Sequence, residues 1–421
     1  LKGNNMPFIQ TRRFASMICV CAFCTPAGAQ EPLFRQLRPE RQLSGHQEAL
    51  VESAKASGAA IGVQVMAADP RFLSGRAASR LALQLSARTS VTASRNNAEA
   101  DAWRGAVDGT SGTVTLIRSG NGSISGTVQH DGRYYAIRPL GDHLHAIVEL
   151  DQELMPPDHQ SPLLLSRWDR SGQSNGVFAL GSTLETRTAP APHSTHVGPA
   201  SNEVTIDVMV AYTRNAAGYY NDIRSDLIAL AIAEANESFR ISRLQHVKLR
   251  LVHAYQTTYV EEGSHFDHVW RLADRGDGIM EEVHKLRDEF RADVVILVVD
   301  DAHGCGLATR VHPDADEAFA VVHHECAATT LSVAHEIGHI IGARHELDID
   351  KTMTPFPYGH GYVNGTKWRD IMSYKESCGG CPRIPVWSSP IVRINGEPAG
   401  TPELDNARVI SEQSARVAAF R

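Results

Sequence analysis

Between positions 335 and 346 the chain reads HEIGHIIGARHE. Imidazoles, carboxylates and glycines packed this closely are the raw material of a metal centre. If the stretch is helical, residues four apart share a face, so His335 and His339 point the same way. Neutral imidazole is a preferred zinc ligand, and a catalytic zinc keeps one position open for water. Glu336 lies about 100° around such a helix from His335, where its carboxylate can reach that water without being a ligand. Zinc brings the pKa of a coordinated water toward roughly 7, and a nearby carboxylate can take the proton. Gly342 can leave the helix without steric cost, so the chain can turn and bring His345 round as a third ligand. The bland alternative is an amphipathic helix with packed or solvated histidines. Chance assembly of all five positions of HExxHxxGxxH in a chain of this composition is about two in ten thousand. Zn2+ is therefore the expected cofactor.

A loop further on, residues 369–374 read RDIMSY. An HExxHxxGxxH stretch with a later methionine is the metzincin pattern, and IMSY resembles its Met-turn. That resemblance implies that Met372 forms an apolar floor beneath the metal; a core methionine in a strand is the alternative. Tyr374 sits at the offset where astacin- and serralysin-like branches carry a tyrosine that steadies the oxyanion, a position a packing tyrosine could equally fill. Glu346, after the third histidine, is astacin-like.

The motifs PYGHGY (357–362), WRDIMSY (368–374), CGGCPRIPVWSSP (378–390) and DNARVISE (405–412) follow in order. Together with the histidine stretch they resemble bacterial peptidyl-Asp metalloendopeptidases. CGLA at 305–308, with Cys326 shortly before the histidines, also fits the related reprolysin-like domains. The resemblance covers about 203–421, and the region before it matches as a propeptide by position. It implies an endopeptidase that cuts on the amino side of Asp, with Glu as the other acidic option. An acidic side chain entering the S1′ pocket needs a cationic wall. In metzincins that wall follows the Met-turn, which makes Lys375 and Arg383 the candidates. Arginine suits a carboxylate better, because it can donate two parallel hydrogen bonds; a solvated loop arginine is the alternative for Arg383. Substrate backbone would pair with an exposed strand edge near 306–311. Protein or peptide substrates, and the chain's own propeptide as an intramolecular inhibitor, are the implied partners, and a monomer is expected. No cysteine occurs between Cys24 and Cys305, so a cysteine plug on the metal is absent from the N-terminal region. Asp142, in Gly141-Asp142, is one candidate plug, although Gly-Asp is ordinary hairpin chemistry. Steric covering of the cleft needs neither.

These residues need a scaffold. VTIDVMVAY from 204, VKLRLVH (247–253), ADVVILVVD (292–300) and AFAVVHH (318–324) read as strands, the third continuously apolar as a strand covered on both faces would be. Helices are expected over 221–244, 277–290 and about 329–344. A last helix would be capped by Thr401 with Pro402 at its first position, its apolar side being Leu404, Ala407, Ile410, Val417 and Phe420. Upstream, a helical-looking stretch near 75–107 precedes four alternating runs separated by turn residues, an antiparallel meander from Thr113 to Leu150. The expected fold is α/β (α+β): a metzincin catalytic domain with a mixed twisted sheet and a zinc-binding helix, preceded by a mainly antiparallel β propeptide domain. The expected boundaries are 1–29 leader and signal peptide, 30–170 propeptide-like domain, 171–202 Ser/Thr/Gly/Pro-rich linker, and 203–421 protease domain.

Arg12 and Arg13, the apolar run Phe14–Cys24 and Ala27-Gly28-Ala29 have the pattern of an export signal. Its removal leaves Cys305, Cys326, Cys378 and Cys381, an even number that suggests two disulfides in an oxidising compartment. Three pairings are possible, and local order favours Cys305–Cys326 and Cys378–Cys381. A secreted or periplasmic enzyme follows, with no membrane contact after signal removal. The net charge of −7 without a long basic run argues against nucleic acid as a partner. A catalytically silent binding or adhesion domain, or a hydrolase of non-peptide amides, remain as alternatives; the intact Glu336 argues against the first.

Overall fold

Two large sheets with different burial patterns and two short two-stranded ones are found in the structure, a computed structural model that describes residues 32–37, 41–68, 78–96, 102–110, 112–158 and 203–421. All of these lie within one unit, Pro32–Arg421. The expected leader, 1–29, and the expected linker, 171–202, lie outside the described residues.

The first sheet is antiparallel throughout. Its strands are β1 (Phe34–Gln36), β2 (Ala60–Ala68), β3 (Arg80–Gln84), β4 (Ser90–Arg95), β5 (Ala102–Val107), β6 (Thr113–Arg118), β7 (Ile124–His130), β8 (Arg133–Gly141) and β9 (Leu144–Asp151). They run in the order β1-β2-β9-β8-β7-β6-β5-β4-β3. The two ends of that order meet, because the Leu33 N–H donates to Ala82 O at 2.9 Å. Side chains alternating along the strands fill one face with Leu83, Trp103, Leu116, Val128, Tyr135 and Ile147. Helix α1 (Gly45–Ala56), started by a Ser44–Gln47 capping box, packs Leu50, Val51 and Ala54 on the opposite face, against Tyr134, Val148 and Leu150. The expected meander is present as β6–β9. The helix expected near 75–107 is not: its described residues form β3, β4 and β5. The reason is period-2 burial, with Leu81, Leu83, Leu85, Val91 and Ala93 inside, which overrides the helix propensity of the intervening Ala, Arg and Gln.

The second sheet is mixed. Strands β10 (Val204–Tyr212), β11 (Val247–Gln256), β12 (Val294–Val299), β13 (Gly306–Ala308) and β14 (Phe319–His323) take the order β11-β10-β12-β14-β13. All pairs are parallel except β13 with β14, so β13 is an antiparallel edge. Helices cover both faces. On β12, Val294, Ile296 and Val298 face a cluster shared with α2 (Ala229–Ile241) and α5 (Ser332–Ile341). Val295, Leu297 and Val299 face α3 (His265–Ala273) and α4 (Glu282–Glu289). Each such buried Val or Ile contributes about 1.5–3 kcal/mol. The last helix, α6 (Asn406–Val417), begins later than expected. Asp405, not Thr401, caps it by accepting the Arg408 N–H at 3.0 Å. Thr401 instead closes a turn on Leu404. Leu404 therefore precedes the helix, while Ala407, Ile410 and Val417 do reach the core.

Buried polar contacts tie the first sheet to α2 and to the segment after β14. Thr115 donates to Glu234 at 3.1 Å, and Arg138 pairs with Glu325 at 3.0 Å with both side chains buried. Removing one partner of such a pair costs about 3–5 kcal/mol. Disulfides join Cys305 to Cys326 and Cys378 to Cys381, the pairing that local order favoured. Among the described residues no helix is long and apolar enough to cross a membrane.

Candidate metal centre and cleft

Val333, Ile337, Ile340 and Ile341 seal one side of α5 into the core, which fixes the rotation of the helix and hence the direction of its histidines. The helix ends at Gly342, whose φ of +134° belongs to glycine; a Cβ there would meet the Phe356 ring at 2.8 Å. The chain then doubles back. His345 Nε2 comes within 3.2 Å of His335 Nε2 and 2.9 Å of His339 Nε2. A tetrahedral ion bound at about 2.0–2.1 Å would set its ligand nitrogens about 3.3 Å apart. His335 Nδ1 lies 2.8 Å from the Ile371 carbonyl and His339 Nδ1 2.9 Å from that of Ala343. Each must donate its Nδ1–H there, leaving Nε2 as a lone pair. Lone pairs converging in a buried space repel one another unless a cation sits among them, so the triad fits a metal ion. Burial also pushes His339 down to about 4, which keeps the ring neutral.

The loop that carries His345 is held by residues that spacing arguments did not single out. His360 Nδ1 contacts the His345 carbonyl at 2.8 Å. Asn406, at the start of α6, donates to Arg344 O at 3.0 Å and accepts the Arg344 N–H at 3.3 Å. Both residues fall inside the PYGHGY and DNARVISE motifs, which was the available signal. Met372 is fully buried, and its Sδ would lie 3.0 Å from a Cβ placed on Gly338. Asp370 shapes the turn by accepting from Ser373 Oγ at 2.6 Å and from the Ser388 N–H at 3.1 Å. Glu346 ties the two loops, accepting the Tyr374 N–H at 3.2 Å.

Glu336 is buried beside the edge strand, accepting the Ala308 N–H. Its Oε2 has no hydrogen-bond partner among the described residues, and burial drives its carboxyl well above the ordinary value, the direction that strengthens a base. The Tyr374 ring lies 4.5 Å from that of His345, and burial, followed by the charges of Asp158 and Glu336, pushes its phenol well up.

The two cationic candidates separate. Arg383 is no solvated loop residue: it is 2 % exposed and donates to Thr330 O at 2.9 Å and Ser373 O at 3.0 Å. Its Nη2 also reaches Asp158 Oδ1 at 2.9 Å. Arg369, not singled out by the sequence, lies beside it with Nη2 3.6 Å from Asp158 Oδ2. Lys375 does not send its ammonium into this pocket. Its Nζ points to Gln152 O and Glu153 O, while its backbone N–H donates to Asp158 Oδ2 at 3.1 Å. Asp142 is far from the cleft chemistry in its bonding. It sits in the β8–β9 hairpin with φ +51° and accepts from Gln47 and Arg41, the hairpin role.

A second cluster, Asp300, His323 and His324, also has the spacing for an ion. There His323 Nδ1 accepts the Glu325 N–H at 3.3 Å, which puts the ring proton on Nε2, the nitrogen facing Asp300. That cluster reads as a hydrogen-bonded network.

A helix-borne histidine pair, a third histidine after a glycine turn and a buried glutamate against an edge strand define a metallopeptidase. Residues 202–388 match metallo-peptidase family M12 in its reprolysin branch. Over 429 residues the chain is 32 % identical to a peptidyl-Asp metalloendopeptidase of Xanthomonas campestris pv. campestris, covering 96 % of this chain and 97 % of that one. It is 36 % identical over 314 residues to a protein of the same name from Stenotrophomonas maltophilia strain R551-3, covering 73 % and 70 %. A third of that name, from strain K279a, is 34 % identical over 318 residues. The chain belongs to metallo-peptidase family M12 and is a metalloendopeptidase.

Proposed function

We propose that this chain is an exported metzincin zinc endopeptidase, made as a zymogen, that hydrolyses peptide bonds on the amino side of Asp. The convergence of three imidazole Nε2 atoms beside the buried Glu336 carboxylate carries the reading. His335, His339 and His345 would hold the zinc. When bound, zinc polarises a carbonyl and acidifies water. Glu336 takes the proton of the attacking water and returns it to the departing amine. Tyr374, against His345, donates its phenol to the substrate carbonyl oxygen as charge develops there. Substrate backbone adds to the antiparallel edge β13, and Arg383 receives the P1′ carboxylate. The names of the relatives support Asp as that residue, and two disulfides support an oxidising destination. The antiparallel sheet, lying over the loop that carries Arg383, is the inhibitory propeptide: Gln129 donates to Arg383 O at 3.1 Å and Gln152 to Cys381 O at 3.2 Å.

A peptide library tests this with the activated protein. Cuts before Asp are expected, abolished by a chelator, restored by zinc, and lost in Glu336→Gln with the metal retained. Cleavage that survives chelation or Glu336→Gln would overturn the mechanism.

A further inference from the structure

The segment that follows β9 is built into the cleft. Gln152–Leu154 forms a short turn whose carbonyls receive the Lys375 ammonium. The chain then runs through Met155-Pro156-Pro157 alongside the strand edge, where the Cys305 N–H donates to Pro157 O at 2.8 Å. Cys305 immediately precedes β13, so this main-chain bond is of the kind strand addition makes. The next residue is Asp158, 7 % exposed. Its carboxylate takes the Arg383 Nη2 at 2.9 Å and the Lys375 backbone N–H at 3.1 Å, with Arg369 Nη2 at 3.6 Å.

Both guanidiniums are about 1 % exposed in their side chains, and each forms its ion pair with Asp158. Two buried cations sharing one carboxylate are charge-compensated only while an acid is present. Uncompensated charge in a buried site is strongly unfavourable. The pocket therefore requires an acidic occupant from whichever chain lies along the edge strand.

We propose that Asp158 is a built-in surrogate for the acidic P1′ residue: it fills the Arg383–Arg369 pocket, so that latency and substrate selection use the same lock. This rests on the Asp-directed reading above and adds Arg369 to the specificity pocket. The N-terminal region inhibits by occupying the recognition pocket, with no ligand of its own needed on the metal. An acidic substrate side chain competes with Asp158 for the same donors, and a neutral one leaves both buried guanidiniums without the carboxylate of their ion pairs.

The test uses the full, zinc-loaded chain carrying Asp158→Asn, with chain integrity followed by mass spectrometry. Cleavage of an Asp-containing peptide by the uncut variant is expected to rise at least about tenfold over the uncut wild type, the scale on which losing a charge-assisted hydrogen bond acts. Asp142→Asn is the control and is expected to stay as latent as the wild type. Because Asp158→Asn could disturb folding, a peptide of sequence QELMPPDHQ, residues 152–160, is tested in parallel as an inhibitor of the activated wild type. Its Asp-to-Asn form is expected to inhibit at least about tenfold more weakly on the same basis. A folded Asp158→Asn chain that stays fully latent, or equal inhibition by both peptides, would overturn the proposal while leaving Asp-directed cleavage intact. Activated wild type that cuts with no acidic preference at P1′ would overturn the underlying reading, and the proposal with it.

Discussion

Gly306 opens the edge strand against the Glu336 carboxylate, and Gly306→Ala tests that contact. The glycine has no positive φ among the backbone exceptions, so alanine is conformationally allowed. A Cβ there would lie 2.4 Å from Glu336 Oε1, 2.9 Å from Cδ and 3.0 Å from Cγ, whereas ordinary contact begins near 3.4 Å. The carboxylate must retreat by about 1 Å. Because it is the end of a side chain, the protein can absorb the shift with little loss of stability. Catalysis cannot, since a 1 Å misplacement costs about 10²-fold in rate, or about 2.7 kcal/mol. The assay compares kcat of the activated wild type and Gly306→Ala on one Asp-containing peptide, with zinc content and melting temperature measured alongside. The expected result is a kcat lower by about two orders of magnitude, with zinc and melting close to wild type. A variant with wild-type kcat would refute the position given to Glu336; one that loses its zinc would refute the argument that only the base moves.

Three further outcomes follow. Gly338→Ala puts a Cβ 2.7 Å from the Trp387 ring and 3.0 Å from Met372 Sδ; Trp387 is pinned by its bond to Ser238 at 3.0 Å, so a loss of about 1–3 kcal/mol is expected in denaturant melts of the full chain. His145 is pushed from 6.5 down to about 4 by burial, and its Nε2 accepts the Ile124 N–H. The neutral ring is favoured in the fold, so its contribution is fully present above pH 6.5 and is lost as pH falls toward 4. It amounts to about 3 kcal/mol, and melts of His145→Gln from pH 7 to 4 should be flatter than wild type by that order. Arg383→Gln in the activated enzyme should cut the preference for Asp over Asn at P1′ by at least about tenfold, the loss of a charge-assisted bond, measured as the ratio of kcat/KM values.

Much of the centre was legible because it is local. His335, Glu336 and His339 are set by helix geometry alone, and Gly342 announces the turn that returns His345. The strands of the mixed sheet carried their own signal, most plainly the unbroken apolar run of β12. The stretch near 75–107 misled because Ala, Arg, Leu and Gln favour helix in isolation, yet Leu81, Leu83 and Leu85 already alternate. From its own neighbourhood, Thr401 followed by Pro402 looks like the N-cap of α6. Asp405 prevails because Asn406 must reach Arg344 and Ala407 donates to Ser388 O, contacts that no local pattern encodes. The same holds for the arginine pocket. Asp158 and Arg383 are 225 residues apart, and nothing near either one predicts that they meet. Lys375 and Arg383 look equivalent by position, and it is the turn after β9 that draws the ammonium away from the pocket, through Gln152 O and Glu153 O.

His335, His339 and His345 are proposed to share one zinc ion. Zinc K-edge X-ray absorption on the full chain loaded with one equivalent of zinc tests it directly. The expected spectrum has three imidazole nitrogens at about 2.0–2.1 Å and no sulfur near about 2.3 Å, with one imidazole lost in His345→Ala. A sulfur shell, fewer than three imidazoles, or an unchanged spectrum in His345→Ala would contradict it.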